Sequence, residues 1–264
     1  MLVKIRSAAR GFSFPSWSVP IALLALTLLA YGLRAFSLGF FWDDWPYLWY
    51  FARFGPAGII AAFTQDRPFL SLIYNTTLSI LGNSTLGWQL FALLARWLCS
   101  FGLWWALSLT WPRHAQKITW AAFLFAIYPG FTQQWIAVIY GQAFFLYALI
   151  FFSIGLTLWL ARRRAPLSRW KLAAGTLLAL GLSAFTMFST EYFFGLELLR
   201  PVLLWLVLMD DSAESSQAAP AHRPDRLRRQ LASAAGWWAP YLALMVVFII
   251  WRGLIHTFPS AELT

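Results

Sequence analysis

The sequence predicts an all-helical membrane bundle of about seven spanning helices, on three observations. Of its 264 residues, 60% are hydrophobic and only 11% are charged, less than half the share of about 25% usual in soluble domains. Apolar runs near 20 residues, the length that crosses a bilayer, recur along the chain. Positive residues gather in alternate connections between those runs.

The first run, Pro20–Leu38, follows a segment carrying Lys4, Arg6 and Arg10. No small-residue cleavage site comes after it, so it reads as a retained helix rather than a removed signal. The connection that follows, about 39–85, is too long for a turn. Within it Leu48-Trp49-Tyr50-Phe51 and Gly58–Phe63 are apolar, but short and interrupted by charges or by Gly55-Pro56, and Phe69–Leu81 is too short to span. These stretches read as interfacial helices whose aromatic residues sit at headgroup depth.

Six further spans are expected: Leu86–Thr110, Arg113–Pro129, Trp135–Leu160, Leu172–Phe188, Tyr192–Met209 and Trp237–Ile255. Tyr128-Pro129-Gly130, followed by Thr132-Gln133-Gln134, is a turn signal that separates the second of these from the third. Ser189-Thr190-Glu191 separates the fourth from the fifth. The Ala-, Ser- and Pro-rich segment of about 210–233 reads as a solvated linker. The chain is one transmembrane domain, 1–264.

Charge sets the expected orientation. Lys4, Arg6 and Arg10 fall on one side together with Arg113 and Lys117, Arg162, Arg163, Arg164, Arg169 and Lys171, and Arg223, Arg226, Arg228 and Arg229, fourteen of the 20 Lys and Arg residues. The positive-inside rule makes that side, and the N-terminus, cytoplasmic. The net charge of +10 is thereby a topology signal, and nucleic acid is not an expected partner. Asp43, Asp44, Asp66, Glu191 and Glu262 collect on the outer face. The lone Cys99 lies in an apolar run, so no internal disulfide can form. The histidines His114, His222 and His256 do not cluster, so no histidine metal site is readable.

An adjacent carboxylate pair among aromatic residues, Phe41-Trp42-Asp43-Asp44-Trp45, marks the outer face as the place for chemistry. Asp is also favoured at helix N-caps, so the pair equally fits the start of the first interfacial helix. Asp66-Arg67-Pro68 fits either a substrate contact or an ordinary turn; the planar fork of Arg67 suits a phosphate. Glu191 faces a shared outer cavity or open water. Arg34 and Arg96, near the end of the first span and inside the second, face the bundle interior, where they bind a donor phosphate or make internal ion pairs. Glu197 and Arg200 are three apart on one helix and read as a local pair. Arg252 lies towards the outer end of the last span, within reach of a phosphate.

Arg34, then Asp43-Asp44, then Arg67-Pro68-Phe69, then the stretch through Leu81-Gly82-Asn83-Ser84 resembles the opening pattern of the GT-C class of membrane glycosyltransferases. The likeness is to bacterial relatives of protein O-mannosyltransferases and of aminoarabinose-lipid A transferases. Ser189-Thr190-Glu191 resembles a Ser-Lys-Glu element of these families, with Thr in place of Lys. The resemblance covers about Arg34–Glu191. It implies inverting transfer of a hexose or pentose from a polyprenyl-phosphate donor to a lipid, glycan or protein acceptor. The implied site lies on the extracytoplasmic side of a bacterial inner or plasma membrane.

In such a site Asp43 and Asp44 are the catalytic positions, with Asp43 taking the proton of the attacking hydroxyl or amine. Asp66, Arg67, Glu191, Arg34 and Arg96 would bind substrate. The families mostly work without metal and no cofactor is implied, although a divalent cation at Asp43, Asp44 and Asp66 stays open. Because these families continue through further helices, the chain is expected to be the N-terminal portion of a longer enzyme. A membrane protein without catalysis, such as a lipid-linked-sugar flippase or a subunit of a glycan-assembly complex, shares the apolar bundle and buried arginines but has no need of Asp43.

Overall fold

The computed structural model describes residues 14–128, 131, 133–163, 167–215 and 223–256, which fold into helices with no strand among them. In chain order these are α1 (Ser16–Gly32), α2 (Asp44–Thr64), α3 (Leu70–Leu81), α4 (Thr85–Thr110), α5 (Ala115–Ala126), α6 (Ala137–Arg162), α7 (Arg169–Ser189), α8 (Glu191–Asp210) and α9 (Leu227–Ile255). Five of them, α4 and α6 to α9, are long and apolar enough to cross a membrane. The basic cluster Lys4, Arg6 and Arg10, the Pro129-Gly130 turn, Thr132, Arg164, His222 and Glu262 lie outside the described residues.

Two of the seven expected spans are shorter than the sequence reading has them. The first stops at Gly32 and gives way to turns over residues 33–37, short of Leu38. In place of Arg113–Pro129 stands α5, with 12 residues, about 18 Å long against a hydrocarbon core of about 30 Å. Apolar side chains extend past both helices, but Leu33 and Phe36 are carried on exposed turns; hydropathy alone does not distinguish such backbone from helix. The two short helices pack on each other through Val19, Leu23, Ala122 and Phe123, and both lean on α4.

The local starts and stops follow from sequence. Gly82 ends α3 at φ 50°, a backbone conformation that glycine adopts without steric cost. Two residues on, the Ser84 hydroxyl accepts the Gly87 amide at 3.1 Å and caps α4. Gly55, at φ 62°, bends α2 into two halves, with Pro56 at the first position of the second half, where its missing N–H costs nothing. Extended Thr190 (φ −158°) separates α7 from α8.

At the centre α4 lies along α6, with α7 on the far side of α6. Gly155 makes the approach of α4 and α6 close: a Cβ there would stand 2.5 Å from the Trp105 ring. Small residues at such crossings let dispersion contacts do what the hydrophobic effect does in water. A second tie is polar. Buried Arg200 donates to both carboxylate oxygens of Glu197 (2.6 and 2.8 Å) and to Ser153 and Thr157 on α6. Ser183 on α7 donates to Glu197 at 2.6 Å, and the Tyr241 ring of α9 covers the guanidinium. Four helices thus meet on one satisfied ion pair, the local pair read from the i,i+3 spacing.

The layer α2–α3 is fastened to one end of this bundle by a cluster containing Leu48, Ile59, Phe63, Leu78, Trp88 and Val138. Its other face leaves Trp45, Trp49 and Phe54 exposed. The same end holds Asp66, Arg67, Glu191 and Arg252, while Arg113, Arg162 and Asp210 meet at the opposite end.

Candidate functional site

A cleft of about 240 Å³ opens between the α2–α3 layer and the bundle. Its walls come from the end of α2 (Phe63), the turn Asp66-Arg67, α3 (Leu70, Tyr74), α6 (Gln142, Leu146, Tyr147) and the start of α8 (Tyr192, Phe193), with Tyr47 contributed by the first turns of α2. The lining combines phenols and an amide with apolar faces.

Charge gathers on one wall. Arg67 donates to both carboxylate oxygens of Glu191, at 2.8 and 3.3 Å, and lies 3.3 Å from Asp66. Its guanidinium also lies 5.3 Å from the centre of the Tyr192 ring. The Glu191 carboxylate holds the Arg67 proton more firmly than usual. Arg252 reaches Asp66 at 3.7 Å and donates to the His256 carbonyl at 2.9 Å. Residues 66, 67, 191 and 252, far apart in sequence, form one network on the rim.

Two buried polar atoms in the cleft have no hydrogen-bond partner among the described residues: Gln142 Oε1 and the Thr190 hydroxyl. The Gln142 amide nitrogen donates to Thr77, which fixes the flip and leaves the oxygen as the unmet acceptor. Burying such groups unpaired costs free energy, so these positions are suited to a hydroxyl-bearing ligand. Gln142 carries no sequence signal, and Thr190 is marked in sequence only as part of the Ser189-Thr190-Glu191 turn; that both leave a polar atom unmet in one cleft becomes legible only through the fold.

The adjacent carboxylates part company. Asp44 is fully buried and accepts the amides of Val138 (3.0 Å) and Ile139 (3.3 Å) at the start of α6, together with that of Phe41 (3.4 Å). The N-terminus of a helix leaves amides without acceptors, and α6, whose own N-cap is Ile136, takes its acceptor from this remote residue. The expected cap of the first interfacial helix is therefore a cap of a different helix. Burial pushes the Asp44 carboxyl up to about 6, against the pull of those amides.

Asp43 is exposed and, although it precedes the first turn of α2, makes no side-chain cap. It acts on Tyr47 in the cleft wall, whose phenol is raised first by burial and then by the Asp43 charge. The residue before it, Trp42, holds φ 45°, uncommon for a bulky side chain.

Arg34 and Arg96 are not brought into this cleft. Arg34 lies on a separate pocket beside α1, and Arg96 is enclosed in the bundle, with neutral partners in place of an internal ion pair. Asp43, Asp44 and Asp66 do not converge as metal ligands: among the described residues no three His, Cys, Asp or Glu side chains form such a group. No protein-family model, no curated protein and no solved structure matches this chain.

Proposed function

We propose that this membrane protein is a glycosyltransferase of GT-C type. It moves a sugar from a polyprenyl-phosphate donor to a lipid, glycan or protein acceptor at the outer face of a bacterial cell membrane. The observation that carries this reading is the cleft itself: phenols and two unmet buried polar atoms for sugar hydroxyls, and a rim where Arg67 and Arg252 are paired with Glu191 and Asp66, with exposed Asp43 close enough for its charge to raise the phenol of Tyr47 in the wall. In this reading the chain crosses seven times: α1 and α5 are each shorter than the hydrocarbon core, the apolar residues that follow them complete those two crossings, and the arginines 113, 162 and 163 lie at the cytoplasmic end. Sugar nucleotides are cytoplasmic, so an outward site requires a lipid-borne donor.

In the reaction Asp43 takes the proton of the acceptor hydroxyl or amine as its oxygen or nitrogen attacks the anomeric carbon. The bond from that carbon to the phosphate oxygen breaks, and polyprenyl phosphate departs with the electron pair. Arg67 and Arg252, paired with Glu191 and Asp66 at the rim, meet the departing phosphate by exchanging those carboxylates for it. Asp44 holds the start of α6, which presents Gln142 about one turn below. The direct test follows labelled sugar from polyprenyl phosphate to membrane acceptors in vesicles containing the full chain. Transfer that Asp43→Asn abolishes supports the reading; transfer that survives it removes Asp43 from the reaction.

A second reading, a lipid-linked-sugar flippase or glycan-assembly subunit, is favoured by one feature: the fork of Arg67 is already occupied by Glu191. Lipid movement that persists in Asp43→Asn, with no transfer by the native chain, would favour it.

A further inference from the structure

A second pocket, of about 340 Å³, lies at the same end of the bundle, between the end of α1, the start of α4 and the segment before α6. It is lined by Tyr31, Arg34, Gln89, Phe131, Gln134 and Trp135, with Ala30, Leu33 and Leu38 at its apolar edge. Behind it Arg96, only 2% exposed, donates to the Ala126 carbonyl (2.9 Å), Gln134 Oε1 (3.1 Å) and the Tyr31 hydroxyl (2.7 Å). The rings of Tyr31, Phe131 and Phe144 surround its guanidinium. Every polar partner is neutral. A full positive charge is therefore held in the interior without a counter-charge among the described residues, an arrangement that is costly unless an anion approaches.

Gln134 adds an unmet donor beside that charge. Its oxygen accepts from Arg96, so the amide orientation is fixed and Nε2 is the free donor. That nitrogen is buried, in a residue 5% exposed, and has no acceptor among the described residues. Arg34 stands exposed on the same lining. Around it Leu29, Leu33 and Phe36 are exposed apolar side chains, a surface for acyl chains rather than for a soluble ion.

We propose that this pocket binds the phosphate of a membrane lipid, with Arg34 pairing at the mouth, Gln134 Nε2 donating within, and Arg96 supplying charge from behind. The site is separate from the Asp43 cleft, and lipid retention does not depend on transferase activity.

The test is native mass spectrometry of the purified full chain after exposure to phosphatidylcholine vesicles doped with phosphatidylglycerol, to the same vesicles doped with polyprenyl phosphate, or to inorganic phosphate alone. The native chain retains a phosphate lipid. Arg34→Ala weakens retention about tenfold, the worth of one charge-assisted hydrogen bond, whereas Arg53→Ala, which removes an exposed arginine outside the pocket, leaves it unchanged. Gln134→Glu is the decisive variant, because it places a carboxylate of the same shape against Arg96. It expels the lipid while the melting temperature holds or rises, which separates lost binding from lost folding. Retained phosphatidylglycerol identifies a structural phospholipid and retained polyprenyl phosphate a carrier lipid; either supports the proposal. Equal retention by the native chain and Gln134→Glu, or occupancy by inorganic phosphate in place of any lipid, overturns it. Asp43→Asn retains the lipid as the native chain does, so failure here and failure of the transferase reading are told apart.

Discussion

Asp44 accepts a hydrogen bond from the amide of Val138 at 3.0 Å across 94 positions of sequence. That contact binds the α2–α3 layer to the start of α6 and so fixes two walls of the cleft. It also sets two neighbouring carboxylates apart, with Asp44 buried and Asp43 exposed.

Asp44→Ala should destabilise the fold by about 1–3 kcal/mol, the usual cost of leaving buried amides without an acceptor. Asp44→Asn, which keeps an oxygen at the same place, should recover most of the loss. Thermal unfolding of the full chain in detergent measures both.

The same carboxyl gives a pH dependence. Its value rises on folding from 3.8 to about 6, so the folded state binds the proton more tightly. The sign follows from linkage: the contribution is complete below about pH 4 and is lost as pH rises through about 6. The melting temperature of the native chain relative to Asp44→Asn should fall across that interval. A difference that stays flat, or climbs with pH, contradicts the assignment.

Arg67 and Glu191 are both partly exposed, and solvent screens their attraction. A double-mutant cycle with Arg67→Ala and Glu191→Ala should return a coupling of about 1 kcal/mol or less, despite the two-pronged geometry. On the proposed transferase reading, either variant should raise the KM for the donor while the melting temperature stays close to that of the native chain.

Arg200 is a different case. It is fully buried, and Arg200→Leu strands the Glu197 carboxylate in the bundle, at a cost of about 3–5 kcal/mol. Loss of folded protein in membranes, read by fluorescence size-exclusion chromatography, is the expected outcome. Unchanged yield and melting temperature would mean that the network does not hold the four helices.

Much of the architecture is legible in the sequence, because long apolar runs and their basic flanks are properties of contiguous residues. The turn at Thr190, the break at Gly55-Pro56 and the helices of the first long connection follow from local chemistry alone. The excess length given to the first span, out to Leu38, and to the segment Arg113–Pro129 has one cause. Membrane-facing turns are as apolar as helices, so Leu33 and Phe36 look like continuation.

The site is less legible. Asp43 and Asp44 look equivalent in a string, yet consecutive residues at a helix start point about 100° apart, one outward and one into the bundle. Asp66, Arg67 and Glu191 can each be singled out by residue type, but their union depends on α8 meeting the turn after α2. Gln142 has no composition or spacing signal, while Thr190 and Gln134 are marked in sequence only as turn residues; that each leaves a polar atom without a partner among the described residues emerges only after packing.

The most direct test compares Asp43→Asn with Asp44→Asn in one transfer assay, with donor turnover normalised to folded protein. The account predicts that Asp43→Asn melts like the native chain and transfers no sugar, whereas Asp44→Asn keeps turnover per folded molecule. Normal turnover in Asp43→Asn, or a loss confined to Asp44→Asn, would contradict it.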